Sequence, residues 1–304
     1  MEKVLVVSVI MITYGHEEFI AQAIKSILDQ ECNFEFELIV ANDHSPDQTD
    51  GIVKQIINLH PKGRAIRYFR HDQNIGMAAN SLFALYEAKG EFTAICEGDD
   101  YWTDITKLQR QVDFLRTNVE YSLVAENGRV VNTINNTEYV FNDATEKDID
   151  LTSLLSTRQF PTASVLFRTK LLDDKIKNFK YHGDTIIWCY LATKGKIKYF
   201  PVVSSVYRRG IQGIVESTNK LKWARLMENW NEEISDFLPL DFDKSILKIR
   251  NYNEYWIAMV SSLKERKFSN AFVSMKKCAA IKPVSTLNTL VKYYLDMIYK
   301  KKSK

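Results

Sequence analysis

Paired cysteines are missing from this chain of 304 residues: Cys32, Cys96, Cys189 and Cys278 lie far apart and no CxxC occurs. That spacing excludes a zinc ribbon or a disulfide framework and fits reduced, mostly buried thiols in a reducing compartment. Long hydrophobic runs are also absent, since no segment approaches the roughly 20 apolar residues that a membrane-spanning helix requires. Val4–Ile12 after Met1-Glu2-Lys3 has the outline of a signal peptide. However, no small-residue cleavage site follows, and the run passes directly into Thr13-Tyr14-Gly15-His16-Glu17-Glu18. The expectation is a soluble cytoplasmic protein, at most peripheral at the inner face of the membrane. Charge of one sign is scarce as well: 41 Lys and Arg face 38 Asp and Glu, a formal net charge of +3. With no basic stripe interleaved with aromatics in the first 200 residues, nucleic acid is not an expected partner. Glycine-rich phosphate loops are the last absence. The segment after the first apolar run, Tyr14-Gly15-His16-Glu17, offers one glycine and an acid. It matches neither the G-x-G-x-x-G of a dinucleotide-binding dehydrogenase nor a G-x-x-x-x-G-K-S/T phosphate loop.

What is present is a globular composition, 45% apolar and 26% charged. Val4–Ile12, apolar on both faces apart from Ser8, has the pattern of a buried parallel strand. Within Glu17–Gln30, residues Phe19, Ile20, Ala23, Ile24, Ile27 and Leu28 make one helical stripe. Phe36–Ala41, Ile66–Phe69 and Phe92–Cys96 read as further strands; Ile52–Ile57 and Met77–Ala88, closed by Gly90, read as helices. This alternation predicts βαβ units, an α/β class with a mostly parallel sheet flanked by helices. Shorter strands are predicted near 122–125, 164–168, 197–200 and 204–207, with a helix opening near Asp184. From Lys220 the pattern becomes helix after helix, with Trp223 and Trp230 as core residues. The expected division is a catalytic domain over 1–218, its halves meeting near residue 102, and a helical C-terminal region over 219–304.

In an open α/β sheet, ligands bind where loops leave the carboxyl ends of the strands. Those loops carry Thr13-Tyr14, then Asn42-Asp43-His44-Ser45, then Glu97-Gly98-Asp99-Asp100 ahead of Tyr101-Trp102. Three carboxylates in four residues repel one another unless a cation compensates. A hard divalent ion such as Mg²⁺ or Mn²⁺ is commonly shared between one or two carboxylates and substrate phosphates. An acidic turn capping the helix that begins near Asp104 is the structural alternative.

The ordered blocks Val7–Tyr14, Glu37–Asp43, Asn74–Gly76, Glu97–Trp102, Pro161–Ser164, Gly183-Asp184 and Val206–Arg208 resemble the inverting GT-A family 2 glycosyltransferases over roughly residues 4–215. The resemblance implies that Thr13, Tyr14, Glu17 and Asp43 bind a nucleotide, usually uridine-linked: Tyr14 stacks on the base, Asp43 accepts from a base N–H and Glu17 reaches the ribose. It implies that Asp99 and Asp100 hold the metal, Mn²⁺ or Mg²⁺, with Asp99 also contacting the donor. Arg208 is the candidate clamp on the diphosphate. Asp184, following Gly183, is the candidate general base that takes the proton from the attacking acceptor hydroxyl, with an ordinary helix N-terminal residue as its structural alternative. The chain departs from the pattern in three places: Glu97 stands where Asp is common, Thr185 where Trp often follows the base, and Arg209-Gly210-Ile211-Gln212-Gly213 lacks the His often found near the matching Arg.

The implied activity is metal-assisted transfer of a sugar from a nucleotide-sugar, UDP-linked, to a glycan or lipid-linked acceptor in surface polysaccharide synthesis. A nucleotidyltransferase of the same architecture would want a basic glycine-rich loop after the first strand, and Thr13–His16 is not one. An inactive scaffold would not need Asp99, Asp100 and Asp184 together. Tyr293, Tyr294, Ile298 and Tyr299 with the terminal lysines offer either a solvated tail or an interfacial basic helix.

Overall fold

A computed structural model of the protein describes residues 5–210, 218–283 and 286. The chain divides into two compact units, Met1–Ile211 and Gln212–Lys304. The calls on the last tyrosines and lysines lie outside the described residues.

In the first unit, β1 (Leu5–Thr13) runs parallel to β2 (Glu35–Asn42) on one side and to β4 (Phe92–Ile95) on the other. Neighbours on both edges and helices on the faces explain why Val6, Val7, Val9, Ile10 and Met11 are all buried. Ser8, its one polar interruption, is fully satisfied: its hydroxyl donates to Glu37 Oε1 at 2.6 Å and accepts from the Gly90 N–H at 2.8 Å. Gly90 is required there for space, because a Cβ would fall 2.5 Å from the Ser8 nitrogen.

Helix α1 (Ile20–Leu28) buries Ile20, Ala23, Ile24, Ile27 and Leu28, the stripe read from the sequence. Each of the Ile and Leu side chains contributes roughly 1.5–3 kcal/mol as an upper estimate. The predicted helix over Glu17–Gln30 is shorter at its start, because residues 14–19 form a loop; there the Phe19 and Ile20 N–H groups close onto the His16 carbonyl at 2.9 Å. α2 (Thr49–Leu59), β3 (Ile66–Arg70) and α3 (Met77–Glu87) follow, with β3 parallel to β2. The strand order β3-β2-β1-β4 therefore reverses direction between β1 and β4. Such a switch point opens a crevice at the carboxyl ends of both strands.

Beyond β4 the sheet becomes mixed. β5 (Tyr101–Trp102) leads into α4 (Lys107–Thr117), β6 (Tyr121–Asn132), β7 (Thr137–Val140), β8 (Lys147–Ile149), α5 (Leu151–Ser156), β9 (Leu166–Arg168), α6 (Asp184–Ala192) and β10 (Lys196–Arg209). β9 inserts antiparallel between β4 and β6, and β10 lies parallel to β6 while pairing antiparallel with β5 and β8. The two short strands predicted at 197–200 and 204–207 are one bent strand, with register shifts around Phe200–Ser205 where Pro201 interrupts the ladder. Among the described residues the strands make one ten-stranded sheet.

The second unit contains α7 (Lys220–Phe237), α8 (Ser245–Lys264) and α9 (Phe268–Ile281). They share a core of Leu221, Ala224, Tyr252, Tyr255, Ala258 and Cys278. Tyr255 donates its hydroxyl to Glu228 Oε2 at 2.6 Å, and Lys277 Nζ meets Glu228 Oε1 at 2.8 Å. Trp230 is buried and sets its ring 6.3 Å from that of Trp223, the packing role expected of the pair.

Candidate active site

Three loops converge on the crevice between β1 and β4. The β1–α1 loop is held from below by the β2–α2 loop: the N–H groups of Gly15, His16 and Glu17 donate to Ser45 Oγ, Thr49 Oγ1 and Asp47 Oδ2, each at 3.0 Å. Glu17 returns the contact, accepting from the Gln48 N–H at 2.8 Å. This interlock leaves the Tyr14 ring 48% exposed, a large aromatic face lying open beside the crevice. It also occupies the backbone donors that a phosphate-cradling loop would need free.

Asp43 is 3% exposed. Its N–H donates to the Thr13 carbonyl at 2.9 Å, and its two carboxylate oxygens accept from the N–H groups of Ile75 and Gly76 at 2.7 and 2.9 Å. Asn74-Ile75-Gly76, read from the sequence as a turn without chemistry, is therefore the partner that orients Asp43. Gly76 takes φ +88°, a left-handed conformation suited to glycine.

The acidic loop continues the β4 ladder along β1, with Cys96 and Gly98 donating to the Ile10 and Ile12 carbonyls at 3.1 and 3.0 Å. Gly98 faces Thr13 and His16 so closely that a Cβ would lie 2.7 Å from Thr13 Oγ1. His16 Nδ1 lies 3.2 Å from Thr13 Oγ1, and its Nε2 is 3.9 Å from Asp99 Oδ2. Burial lowers the His16 pKa although Asp99 and Asp47 pull it upward.

Asp100 is buried, and its Oδ1 accepts the Arg208 N–H at 2.9 Å. Arg208 itself donates to the Asp99 carbonyl and to Gln22 Oε1, with its guanidinium 4.5 Å from the Tyr101 ring centre and 5.0 Å from that of Phe19. The residue expected to clamp a diphosphate thus grips the acidic loop itself. Burial and the neighbouring carboxylates push Asp100 well above the usual carboxylate range, and Glu97 is pushed up to about 8 by burial, Asp99 and Asp184, with Arg158 opposing.

Asp184 is close enough to act on Glu97. It is the first residue of α6, where a carboxylate also suits the helix dipole. Asp184 Oδ1 accepts from the Thr185 N–H at 2.6 Å and the Thr185 hydroxyl at 3.2 Å; Oδ2 accepts from the Thr162 hydroxyl at 3.0 Å and Arg158 Nη2 at 3.2 Å. Arg158 carries no sequence signal of its own, and Thr162 lies in the Pro161–Ser164 block, to which the sequence assigned no role. One lies in a loop after α5 and the other in a single 3-10 turn, Thr162–Ser164, and only the insertion of β9 brings them to α6.

Among the described residues, no group of three or more His, Cys, Asp or Glu side chains is placed to hold a metal ion. The donor set still fits a hard cation completed by phosphate oxygens, because burial and then mutual repulsion push Asp100 and Glu97 upward, a crowding of negative charge that a cation would relieve.

Residues 8–174 match the model of glycosyl transferase family 2, more than half of the chain. The chain belongs to that family. This family 2 chain is 32% identical over 211 residues to an uncharacterized protein of Mycobacterium tuberculosis, covering 69% of its own length and 60% of the relative. It thus spans well under two thirds of the length of that relative. It is also 32% identical over 111 residues to the Escherichia coli UDP-Glc:alpha-D-GlcNAc-diphosphoundecaprenol beta-1,3-glucosyltransferase WfaP, covering 36% of this chain and 41% of WfaP. Among solved structures it is similar to TarS 1-349 of Staphylococcus aureus in complex with UDP-GlcNAc, at TM-score 0.70 and 18% identity over 93% of this chain and 83% of that one. A mannosyltransferase of Pyrobaculum calidifontis in complex with GDP-Man and Mn²⁺ gives TM-score 0.60 at 17% identity, over 99% of this chain and 82% of that one. These likenesses show the GT-A fold for the family 2 chain.

Proposed function

We propose that this chain transfers a sugar from a uridine-linked nucleotide-sugar to an acceptor hydroxyl with inversion, in the synthesis of a surface polysaccharide. The observation that supports the reading is that Glu97 feels both Asp99 and Asp184, so the candidate donor-side carboxylates and the candidate base lie close to one another. The neighbours with UDP-GlcNAc and GDP-Man support a nucleotide-sugar donor. The printed acceptor of WfaP supports a lipid-linked glycan acceptor. No helix among the described residues is long and apolar enough to cross a membrane.

In this reading Tyr14 stacks on the base, Asp43 faces it from the floor of the site, and Thr13 and Glu17 line the sugar of the nucleoside. Asp99 and Asp100 would hold Mn²⁺ or Mg²⁺, which supplies positive charge to the diphosphate as it leaves. The need for such charge is local: the Gly15, His16 and Glu17 N–H groups of the β1–α1 loop already donate to the β2–α2 loop, and Arg208 contacts the acidic loop. Asp184 removes the proton from the acceptor hydroxyl as its oxygen bonds to the anomeric carbon; the bond from that carbon to the phosphate oxygen breaks, and the nucleoside diphosphate keeps the electron pair. The domain division proposed is a catalytic part over 1–218 and a helical part over 219–304.

The test is calorimetric titration of UDP, GDP and CDP with and without Mn²⁺. UDP is expected to bind best, and at least tenfold tighter with metal. D184N is expected to keep that affinity and lose turnover. Failure of every nucleoside diphosphate to bind with Mn²⁺ present would overturn the reading.

A further inference from the structure

The Asp184 carboxylate already has four donors, two on each oxygen, and two of those four come from residues four apart in the loop after α5. Arg158 Nη2 donates to Asp184 Oδ2 at 3.2 Å and to the Thr162 hydroxyl at 2.8 Å, and that hydroxyl in turn donates a hydrogen bond to the same carboxylate oxygen at 3.0 Å. The three groups form a closed triangle of hydrogen bonds. Thr162 is buried, and its turn is pinned by the Trp102 indole N–H on the Ala163 carbonyl at 2.7 Å and by Gln111 Nε2 on the Ser164 carbonyl at 2.8 Å. The guanidinium lies against aromatic rings, 5.3 Å from the centre of Tyr207 and 5.9 Å from that of Phe141. Burial disfavours its charge, yet Asp184, Tyr207 and Glu97 hold its pKa above the usual value.

We propose that Arg158 and Thr162 are positioning residues for Asp184: they fix the plane of its carboxylate and hold a guanidinium charge against it until the acceptor hydroxyl arrives. This rests on Asp184 being the base, and it adds the two residues that make it competent. The charged and titratable groups around Asp184 are Arg158 from the loop after α5, Glu97 from the acidic loop and His182 on its own segment. Of these, Arg158 is the cation in direct contact. Without it, the Asp184 carboxylate loses the opposite charge in contact with it, and its affinity for a proton rises. The shared bond with Thr162 gives Arg158 a second seat, so an acceptor hydroxyl can replace it on Oδ2 while the guanidinium stays within the triangle. A flat fork is needed to touch Thr162 and Asp184 together while lying against two rings, which a lysine ammonium does not reproduce.

The experiment is a carbon-13 titration of aspartate carboxyls in the full chain, with the Asp184 signal identified by its loss in D184N. In R158M the midpoint is expected to rise by about one pH unit or more, a tenfold gain in proton affinity, and in R158K by less. T162V should shift it only slightly, yet slow catalysis through lost orientation. Catalysis is read as UDP release from UDP-GlcNAc or UDP-glucose, whichever the wild-type chain hydrolyses. At neutral pH, R158M is expected to lower kcat about 10- to 100-fold and T162V about 10-fold, with UDP affinity within twofold of wild type. R158K and T162V keep the test open should R158M not fold. An unchanged Asp184 midpoint in both Arg158 variants overturns the proposal. Near-normal UDP release by D184N would instead remove Asp184 as base, and the titration would still report whether Arg158 controls its charge.

Discussion

Gly98 shows how narrowly single residues define the crevice. It takes an ordinary backbone conformation, so its role is one of space: a Cβ there would meet Thr13 Oγ1 at 2.7 Å and His16 Nδ1 at 2.9 Å. Neither neighbour can retreat, since Thr13 ends a buried strand and His16 anchors the start of α1. G98A is therefore expected to push the acidic loop away from β1, costing roughly 1–3 kcal/mol of stability and at least tenfold in Mn²⁺-dependent UDP affinity. Thermal melts and calorimetry check both parts, and an unchanged UDP affinity would refute the second. At this scale the sequence was partly legible. Asp43, Asp99, Asp100 and Asp184 stand out because each carboxylate follows an apolar strand or precedes an apolar helix. Arg158 did not, because nothing local distinguishes a loop arginine whose partner lies 26 residues further on. Arg208 was visible as a cation at a strand end, but its partners come from the acidic loop and α1, which spacing alone does not reveal.

Among the elements, α4 links the two sides of the crevice. Lys107, fully buried, sets its ammonium 4.4 Å above the Trp102 ring and donates to Gln111 Oε1 at 2.7 Å, while Trp102 and Gln111 hold the carbonyls of the Thr162–Ser164 turn. A helix that looks like mere packing thus fixes the turn carrying Thr162 against the strand that follows Asp100. Trp102→Phe would leave the Ala163 carbonyl without its donor and is expected to cost about 1–3 kcal/mol. The urea midpoint should fall with the m-value unchanged. An unaltered midpoint would show that water replaces the indole N–H. The parallel elements were the ones readable in advance, since β1, α1, β2, α2, β3, α3 and β4 each bury a periodic apolar set and connect to sequence neighbours. β5, β7 and β8 were not, because strands this short take their conformation from distant partners such as β6 and β10.

For the molecule as a whole, the crowded carboxylates make stability depend on pH and metal. Glu97 titrates at about 8 in the fold against 4.5 ordinarily, chiefly because of burial and then Asp99. The folded state thus holds a proton that the unfolded chain has lost, and stability falls as pH rises from about 5 to 8. E97Q lacks this proton-linked loss, so its melting temperature should gain on the wild type by several degrees across that window. Saturating Mn²⁺ should narrow the gap. Melting curves at pH 5, 6.5 and 8 decide it, and a gap independent of pH would show that Glu97 is not the group responsible.

The pairing of β10 with β5 has a consequence for synthesis. Arg208 closes on Asp99, Asp100 and Gln22, the last of them 186 residues earlier in the chain. In a growing polypeptide the acidic loop can take up its β1 hydrogen bonds early, but its contacts with Arg208 wait until β10 has emerged. Until then the half-built sheet has the carboxylates without the strand that holds them in place. The last strand of the first unit therefore supplies the final hold on the acidic loop, reaching back to α1 through Gln22.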